Sequence, residues 1–488
     1  MSGRRANFSL HVRNSAYVMT ARGAELVTGV FTVGLATRYL GPATFGVYAF
    51  IGTTAAVLSP LIALGCARIL VRDLAVDKSR GGSLVVSAVW LHLALSLVTL
   101  AVTLGVLLGV GLRSPLALAA ASAAVAAQAV MVLRQSLAAV PIAHEVMVYE
   151  AWQIVAGRLA LVALFVGVVA ARLSYLHFFT ATAVAGGVSL VMAWVISARL
   201  TPLQWGLRAS EMAYLARESA PVAVYNFLGQ MPMYVNVFLL QWLGRAEAVS
   251  YFQAPQRLFG PVMILPMSLV LAFSPAIARI SMDLSRRDEL RQHYATALRW
   301  MFVLVLPLCV AAGVYAPEFT SLLFGRTFRP SAFVFGVMCW GILPFSLNAL
   351  VNTLMTAMGK QGVVVWAHLA ALGVSAAAGL ALALPYGHDG AGVAFLIGVS
   401  ALYLINHYVL ARHVRGLALW SSLWRPALAS ALLAAALIPA KAQLAMPWAA
   451  LLGLGIYGCL AVVLRAVTVR ELRGLAGLVV KSRGDEGR

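Results

Sequence analysis

Long apolar runs separated by short polar segments dominate the sequence from residue 15 to residue 464. A bilayer core of about 30 Å is crossed by roughly 20 apolar residues of α-helix, because each residue rises about 1.5 Å. Runs of roughly this length occur near 15–38, 46–70, 84–111, 116–140, 152–171, 177–198, 218–242, 250–278, 298–317, 331–358, 363–385, 391–411, 424–440 and 447–464. The pattern predicts an all-α polytopic membrane protein with about 14 transmembrane helices.

A short motif occurs after the first run and again after the seventh. Six residues separate Leu40-Gly41 from Tyr48, and six residues likewise separate Leu243-Gly244 from Tyr251. This repetition indicates an internal duplication, which is common among transporters. We therefore predict an N-terminal lobe with spans one to six at residues 1–200, an inter-lobe linker at 201–217 and a second lobe with spans seven to twelve at 218–412. A final pair of spans at 413–465 and a basic cytoplasmic tail at 466–488 follow.

The connecting segments are short, and two of them carry a structural prediction. From Thr201 to Ser219 charged residues interleave with leucines, tyrosine and tryptophan, which suits an amphipathic helix on the inner membrane surface. Gly81-Gly82-Ser83 is expected to be a loop without a phosphate-binding role.

Composition places the chain among membrane proteins. It is 62% hydrophobic and 11% charged, against about 25% charged residues in ordinary soluble domains. The net charge of +20 would suggest a nucleic-acid partner in a soluble protein. Here 26 Lys and Arg residues fall in inner segments and 7 in outer loops if the N-terminus is inside. The positive-inside rule accounts for this split, so we predict both termini in the cytoplasm, membrane lipids as partners and no nucleic acid.

The residues contain no arrangement typical of an enzyme. There is no Walker loop, no HExxH motif and no long extramembrane segment able to hold a nucleotide. The four cysteines lie singly in apolar runs and are expected to be small buried residues. We therefore predict a protein that is not an enzyme and that uses no cofactor and no metal.

Polar side chains form stripes on four predicted spans. Most charged residues cost about 2.5–3.5 kcal/mol at the centre of a membrane helix, so they persist where they face protein or water. We predict that these stripes line a substrate-binding cavity, with the candidate residues Arg22 and Glu25 on span one, Asn226 and Gln230 on span seven, Gln253 and Arg257 on span eight, and Asn348 and Asn352 on span ten.

Structural roles compete with this interpretation. The asparagines could be hydrogen-bonded contacts between helices, which contribute about 0.6 kcal/mol each. Arg22 and Glu25 are three residues apart and could neutralise each other. Arg158 could extend its head group to the inner interface. His92 and His368 each stand alone on an apolar face and are expected to be core residues.

Several motifs resemble one family of membrane transporters. They are Arg38-Tyr-Leu-Gly-Pro-Ala-Thr-Phe-Gly-Val-Tyr48, Leu64-Gly65, Arg72-Asp-Leu-Ala75, Tyr251-Phe-Gln-Ala-Pro-Gln-Arg257-Leu with Pro266 and Pro275, Leu322-Leu-Phe-Gly325 with Phe328, and Ala357-Met-Gly-Lys360. In order and spacing they resemble polysaccharide flippases of the Wzx type, which belong to the multidrug/oligosaccharidyl-lipid/polysaccharide exporter superfamily.

The resemblance implies two pseudo-symmetric six-helix lobes around a central cavity, plus a peripheral C-terminal helix pair. It implies a bacterial inner-membrane flippase that moves undecaprenyl-pyrophosphate-linked oligosaccharide from the inner to the outer leaflet by alternating access. Arg257 matches an arginine of the related lipid II flippases. H⁺ or Na⁺ is a candidate coupling ion, and a polysaccharide polymerase or assembly proteins are candidate partners.

Three other functions are weighed against this one. A drug/cation antiporter of the same superfamily would want a lone carboxylate in a cavity, and Glu25 beside Arg22 suits that role poorly. A lipid II flippase would be expected to carry more basic residues in its first span. A membrane-embedded glycosyltransferase or polymerase would want a long outer loop with acidic, His or Arg residues, which the sequence lacks.

Overall fold

The computed structural model describes residues 2–78, 81–144, 146–281, 287–414, 419–443 and 446–467. Within these ranges the regular structure is helical and contains no strand. The helices α1 to α14 are, in order, Ser2–Ala63, Cys66–Val76, Gly81–Gly109, Pro115–Ala143, Met147–Ala170, Leu176–Leu200, Ala209–Trp242, Ala246–Ser281, Arg287–Val314, Ala316–Phe324, Ala332–Ala357, Gln361–His413, Leu419–Gln443 and Met446–Val463, with a 3₁₀ turn at Arg326–Ser331.

Ten helical segments of the described chain are long and apolar enough to cross a bilayer. They are Gly23–Val76, Gly81–Gly109, Pro115–Ala143, Val148–Ala170, Leu176–Leu200, Ala246–Ser274, Asp288–Val314, Arg326–Ala357, Gly362–His413 and Ser422–Lys441. The prediction of an all-α polytopic membrane protein is confirmed. The number of fourteen spans stays a prediction, because α7 and the shorter α14 are outside this set.

Two of the long helices each contain a non-helical glycine. Gly41 in α1 has φ 69° and Gly387 in α12 has φ 58°, so each long helix consists of two helices that meet at a kink. Positive φ is available to glycine without the steric cost that a Cβ brings. The predicted pairs of spans one and two and of spans eleven and twelve therefore lie within α1 and α12. The second predicted run ends earlier than residue 70, because a turn at Leu64-Gly65 separates α1 from α2.

Contacts divide the chain into two compact units. The first contains residues 1–254 and 323–328, and the second contains residues 255–322 and 329–488. The division therefore follows Ala254 in α8, whereas the sequence placed a boundary at the linker near residue 200. The predicted lobe limits stay a prediction.

The linker and one predicted loop differ in secondary structure from the sequence prediction. Thr201 to Arg208 is not helical, and the remaining residues to Ser219 form the first turns of α7. Gly81-Gly82-Ser83 is the buried first turn of α3 and not a loop. A Cβ on Gly82 would overlap the carbonyl oxygen of Pro202. This close approach explains why small residues occupy the turn.

The first unit has an apolar core where α2, α3 and α4 meet. Leu70, Leu74, Leu84 and Val140 are among its fully or nearly fully buried members. His92 of α3 lies beside this core and is 1% exposed. The prediction that His92 is a core residue is confirmed.

In the second unit, α13 and α14 pack on α9. Leu433, Leu437 and Tyr457 belong to their shared core. The Tyr457 hydroxyl donates to the Val303 carbonyl at 2.9 Å, and Lys441 Nζ donates to the Val314 carbonyl at 2.7 Å. The three helices therefore form one packed group within this unit. Cys459 of α14 is exposed, contrary to the expectation for the cysteines, whereas Cys66, Cys309 and Cys339 are buried.

Candidate functional site

A cavity of about 150 Å³ lies inside the first unit. It is lined by α1, α4, α5 and α6, through Glu25, Ala127, Gln128, Met131, Arg134, Ile154, Gly157, Arg158, Leu161, Thr182, Ala185, Gly186 and Ser189. Three of these side chains carry a formal charge, although each lies on a helix apolar enough to span a membrane. A polar cavity is therefore built into a membrane-spanning bundle.

An ion pair joins two helices at this cavity. Arg158 Nη2 of α5 donates to Glu25 Oε1 of α1. The two side chains are 29% and 28% exposed, so the pair lines the cavity and is not sealed in the core. An Arg–carboxylate pair satisfies both charges in a medium where either charge alone would be costly.

Small residues let α5 and α6 approach closely beside the ion pair. A Cβ on Gly157 would overlap the Ser189 hydroxyl oxygen. That hydroxyl donates to the Gln153 carbonyl at 2.8 Å, and Thr182 donates to the Phe178 carbonyl at 2.7 Å. Close approach through small residues is the usual way in which helices pack in membranes. The hydroxyl protons of Ser189 and Thr182 are thus used within the bundle.

The predicted candidates of the first unit lie in different surroundings. Gln253 is 2% exposed, and its Nε2 donates to the Thr53 hydroxyl of α1 at 2.6 Å. Asn226 and Gln230 on α7 are half-buried. The side chain of Arg22 lies outside the described residues. The structure thus places Glu25 at the cavity and Gln253 in a buried contact between α8 and α1.

The predicted candidates of the second unit include an asparagine cluster. Asn406 Nδ2 of α12 donates to Asn348 Oδ1 at 2.9 Å and approaches Asn352 Oδ1 at 3.5 Å. Asn348 and Asn406 are buried, and Asn352 is partly exposed. Arg257 of α8 is half-buried. The cluster has the form of the interhelical contact that was weighed for these asparagines, and substrate contact by all eight candidates stays a prediction.

Sequence reasoning missed Arg134, Arg158 and Asn406 as members of these polar groups. The positive-inside count takes Arg134 as one of the 26 inner charges, and the sequence allows Arg158 to reach the inner interface. Both stand within apolar runs, and Glu25 is an opposite charge within another run. That combination is a signal for pairing, because an intramembrane charge is expected to have a partner.

A second polar group lies where α2, α3 and α7 meet. Ser83 and Ser87 donate to the two carboxylate oxygens of Glu211 at 2.9 and 2.7 Å, and Arg208 Nη1 donates to Oε1 at 3.2 Å. Burial raises the pKa of the Glu211 carboxyl, but the bonds from Ser87, Ser83 and Arg208 outweigh burial. The net pKa lies below its ordinary value, so Glu211 is ionised at neutral pH.

Known proteins resemble this chain in sequence. The sequence model of the family described as polysaccharide biosynthesis protein matches residues 11–281. An O-antigen transporter of Shigella flexneri is 22% identical over 192 residues, which are 39% of this chain and 45% of that protein. The match therefore spans a little under half the length of this curated relative.

Solved structures resemble the chain in fold. The lipid II flippase MurJ in an inward closed conformation has a TM-score of 0.75 at 13% identity, covering 94% of this chain and 99% of that one. An inward-facing multidrug resistance transporter of the MATE family has a TM-score of 0.63 at 14% identity, covering 81% of this chain and 94% of that one. A MOP-superfamily transporter from Pyrococcus furiosus has a TM-score of 0.59 at 15% identity, covering 84% of this chain and 96% of that one. At these identities the likeness establishes the fold alone.

Proposed function

The chain belongs to the polysaccharide biosynthesis protein family, and from that premise we propose that it is a flippase for a lipid-linked oligosaccharide. The cargo proposed is an undecaprenyl-pyrophosphate-linked oligosaccharide, carried from the inner to the outer leaflet of a bacterial cytoplasmic membrane. The relative named as an O-antigen transporter supports a cargo of this class. Both termini are proposed to lie in the cytoplasm, and H⁺ or Na⁺ is the proposed coupling ion.

The observation that carries the proposal is the charged cavity among membrane-spanning helices. A sugar-pyrophosphate head cannot cross hydrocarbon unaided, because each buried hydroxyl without a partner costs about 1–3 kcal/mol and a buried charge costs far more. A flippase must therefore supply polar groups at membrane depth. Glu25, Arg134 and Arg158 are such groups, and they line open space within helices that are otherwise apolar.

Alternating access is the mechanism proposed for this transport. The kinks at Gly41 and Gly387 give α1 and α12 points at which a helix can bend without breaking many backbone hydrogen bonds. Arg257, Asn226, Gln230, Asn348 and Asn352 remain the proposed contacts for pyrophosphate and sugar hydroxyls. A polysaccharide polymerase or assembly proteins would consume the cargo on the outer face.

The proposal is tested by deleting the gene and locating the lipid-linked oligosaccharide. We expect the completed molecule to accumulate on the inner leaflet, out of reach of a lectin or glycosidase added to intact spheroplasts. It should become accessible after permeabilisation, and expression of the wild-type protein should restore outer exposure. Absence of the completed lipid-linked sugar would instead indicate an assembly enzyme.

The antiporter alternative loses support from the pairing of Glu25. That function wants a lone carboxylate in a cavity, and the only carboxylate among the cavity-lining side chains forms an ion pair with Arg158. A lipid II flippase is the second candidate, because MurJ shares the fold over nearly the whole chain. Restored growth of a MurJ-depleted strain by this protein would favour lipid II as the cargo.

A further inference from the structure

Two arginines from different helices meet at one end of the α13–α14 pair in the second unit. Arg425 lies in the first turn of the membrane-spanning part of α13, Ser422–Lys441, and Arg465 follows the end of α14 at Val463. Arg425 Nη1 donates to the Arg465 carbonyl oxygen at 3.2 Å. This bond keeps two positively charged residues side by side where both helices reach the same end of the packed group.

These two charges have no acidic partner within the part of the chain that the structure describes. The other contact of the Arg425 guanidinium is with the Trp424 ring, whose centroid is 5.1 Å away, and Arg465 is exposed. A ring face offsets only part of a cation's charge. Since like charges repel each other, an anion that binds both guanidinium groups would stabilise this end of the pair.

An apolar stripe on α13 begins at the same place. Trp424, Leu428 and Leu432 are four residues apart, so they share one face of the helix, and they are 41%, 43% and 42% exposed. At about 1.5 Å per residue the stripe is roughly 12 Å long, which is close to half of a bilayer core of about 30 Å. It therefore leads from the arginines into the hydrocarbon of one leaflet.

The combination of charge and stripe has the form of a phospholipid site. A guanidinium group presents a planar fork of donors that matches the oxygens of a phosphate. Tryptophan is enriched at the boundary between head groups and hydrocarbon, which is where a phosphate meets its acyl chains. In the orientation proposed above, this end of α13 and α14 faces the cytoplasm, and the cytoplasmic leaflet is the one rich in anionic lipid.

We propose that Arg425 and Arg465 bind the phosphate of one anionic phospholipid, and that the stripe from Trp424 to Leu432 holds one of its acyl chains. The lipid would anchor the α13–α14 pair to the inner leaflet. The site lies in the second unit and does not include the cavity at Glu25 and Arg158. The inference is independent of the cargo, and the lectin experiment does not bear on it.

Trp424 reports on this site, because brominated acyl chains quench the fluorescence of a tryptophan that they touch. The full-length protein is reconstituted in phosphatidylcholine vesicles with increasing fractions of brominated phosphatidylglycerol or brominated phosphatidylethanolamine. The chain has 11 tryptophans, so the Trp424 signal is the difference between the wild-type protein and Trp424→Phe. We expect phosphatidylglycerol to be preferred over phosphatidylcholine by about tenfold or more, because two arginines attract its charge. Phosphatidylethanolamine, which has no net charge, should show little preference.

Substitutions of the arginines should reduce this preference. Arg465→Gln removes an exposed charge and keeps the carbonyl that Arg425 binds, so it tests the charge without disturbing the α13–α14 contact. It should lower the preference about fivefold, and Arg425→Gln should do the same. Arg425→Lys should retain most of it. The matched control is Arg412→Gln, because Arg412 is also exposed and also lies over an aromatic ring, 4.5 Å from the Tyr408 centroid. The control should change the preference by less than about twofold.

The alternatives give different results. Equal quenching by phosphatidylglycerol and phosphatidylethanolamine in the wild-type protein would overturn the inference. Equal losses for Arg465→Gln and Arg412→Gln would also overturn it, because they would indicate general attraction by surface charge and no defined site. Farnesyl pyrophosphate carries the same phosphate chemistry on a prenyl chain. If it relieved the quenching at a lower fraction than unbrominated phosphatidylglycerol does, the occupant would be a lipid-linked pyrophosphate and the assignment to phospholipid would be wrong.

Discussion

At the scale of single residues, His92 shows how a buried polar side chain completes a helix end. The last four carbonyls of a helix have no partner within it, and α1 ends at Ala63. His92 Nδ1 lies 2.7 Å from the Ile62 carbonyl oxygen, and Nε2 lies 2.8 Å from Ser136 Oγ. A carbonyl only accepts, so Nδ1 carries the proton, and in the neutral ring Nε2 accepts from the serine hydroxyl. One side chain thus joins α1, α3 and α4.

Replacing His92 should therefore cost stability. His92→Leu leaves the Ile62 carbonyl and the Ser136 hydroxyl buried without these partners, and we expect a loss of about 1–3 kcal/mol in unfolding free energy. Ser136→Ala removes one of the two bonds and should cost less. Unfolding in detergent, followed by tryptophan fluorescence, measures both effects. Ser122→Ala on the exposed side of α4 is the control, and a His92→Leu protein as stable as that control would contradict the assigned role.

The carboxylate of Glu211 makes a pH-dependent contribution at the same scale. Because its pKa is lowered in the folded protein, its stabilising effect is complete above the ordinary value of 4.5 and is lost as the pH falls through the lower folded value. Glu211→Gln should lower the unfolding free energy by about 1–3 kcal/mol at pH 7. The difference from wild type should stay constant from pH 6 to 8 and shrink below pH 4.5.

A surface pair provides the comparison for Glu211. Asp288 is 87% exposed and bonds to Arg291 within one helix turn, and exposed pairs typically contribute less than about 1 kcal/mol. Asp288→Asn should therefore change stability little at any pH in this range. A Glu211→Gln deficit that persists unchanged at pH 4 would show that the carboxylate charge is not what its partners stabilise.

At the scale of helices, close backbone contacts fix how α1 packs within the first unit. A Cβ on Gly46 would overlap the Ala246 carbonyl oxygen at the start of α8, and a Cβ on Gly34 would lie 2.6 Å from the Leu323 carbonyl oxygen. Phe45 and Phe328 also meet edge to face, with ring centroids 5.7 Å apart. A backbone carbonyl cannot move aside as a flexible side chain can. Gly34 and Gly46 are therefore needed because a Cβ would not fit, and not because of an unusual backbone conformation.

Alanine substitutions at two glycines of α1, Gly46 and Gly29, should therefore change thermal stability in different directions. Gly46→Ala forces α1 and α8 apart, and we expect it to lower both thermal stability and transport. Gly29 lies in the same helix with no atom near its would-be Cβ. Gly29→Ala should be neutral or stabilising by up to about 1 kcal/mol, because glycine costs 0.5–1 kcal/mol in a helix relative to alanine. Melting temperatures of the purified variants distinguish the two, and equal values would refute the contact.

The sequence predicted the structure of single helices well and the contacts between helices poorly. The repeated Leu-Gly motif is interpreted as a sign of internal duplication, and its two glycines, Gly41 and Gly244, have similar φ values of 69° and 71°. Periodicity states which residues share a face of one helix, so it placed Glu25 beside Arg22. It cannot state which helices are neighbours, and the partner that the structure shows for Glu25 is Arg158, 133 residues away. The role of Asn406 beside Asn348 escaped prediction for the same reason.

At the scale of the whole molecule, the distribution of basic residues determines the orientation that we propose. Each Lys or Arg near an anionic cytoplasmic surface contributes about 1 kcal/mol of attraction, and the sequence assigns 26 of them to that side, of which Arg134 lies within α4. With an even number of spans, the turn after the third helix and the turn at the α1 kink face outward, whereas the segment before α7 faces inward. Each segment contains an exposed residue: Arg113 after α3, Ala43 at the α1 kink and Arg208 before α7.

Cysteine labelling of intact cells tests this orientation in a background that lacks the four native cysteines. Ala43→Cys and Arg113→Cys should react with a membrane-impermeant maleimide before lysis, because their segments face outward. Arg208→Cys should react only after the membrane is opened. Since each crossing reverses the side, labelling at all three positions in intact cells would mean that an even number of crossings separates Arg113 from the segment before α7, whereas α4, α5 and α6 would supply three. In that case α4, α5 and α6 would not each cross the membrane once, and the proposed orientation would be wrong.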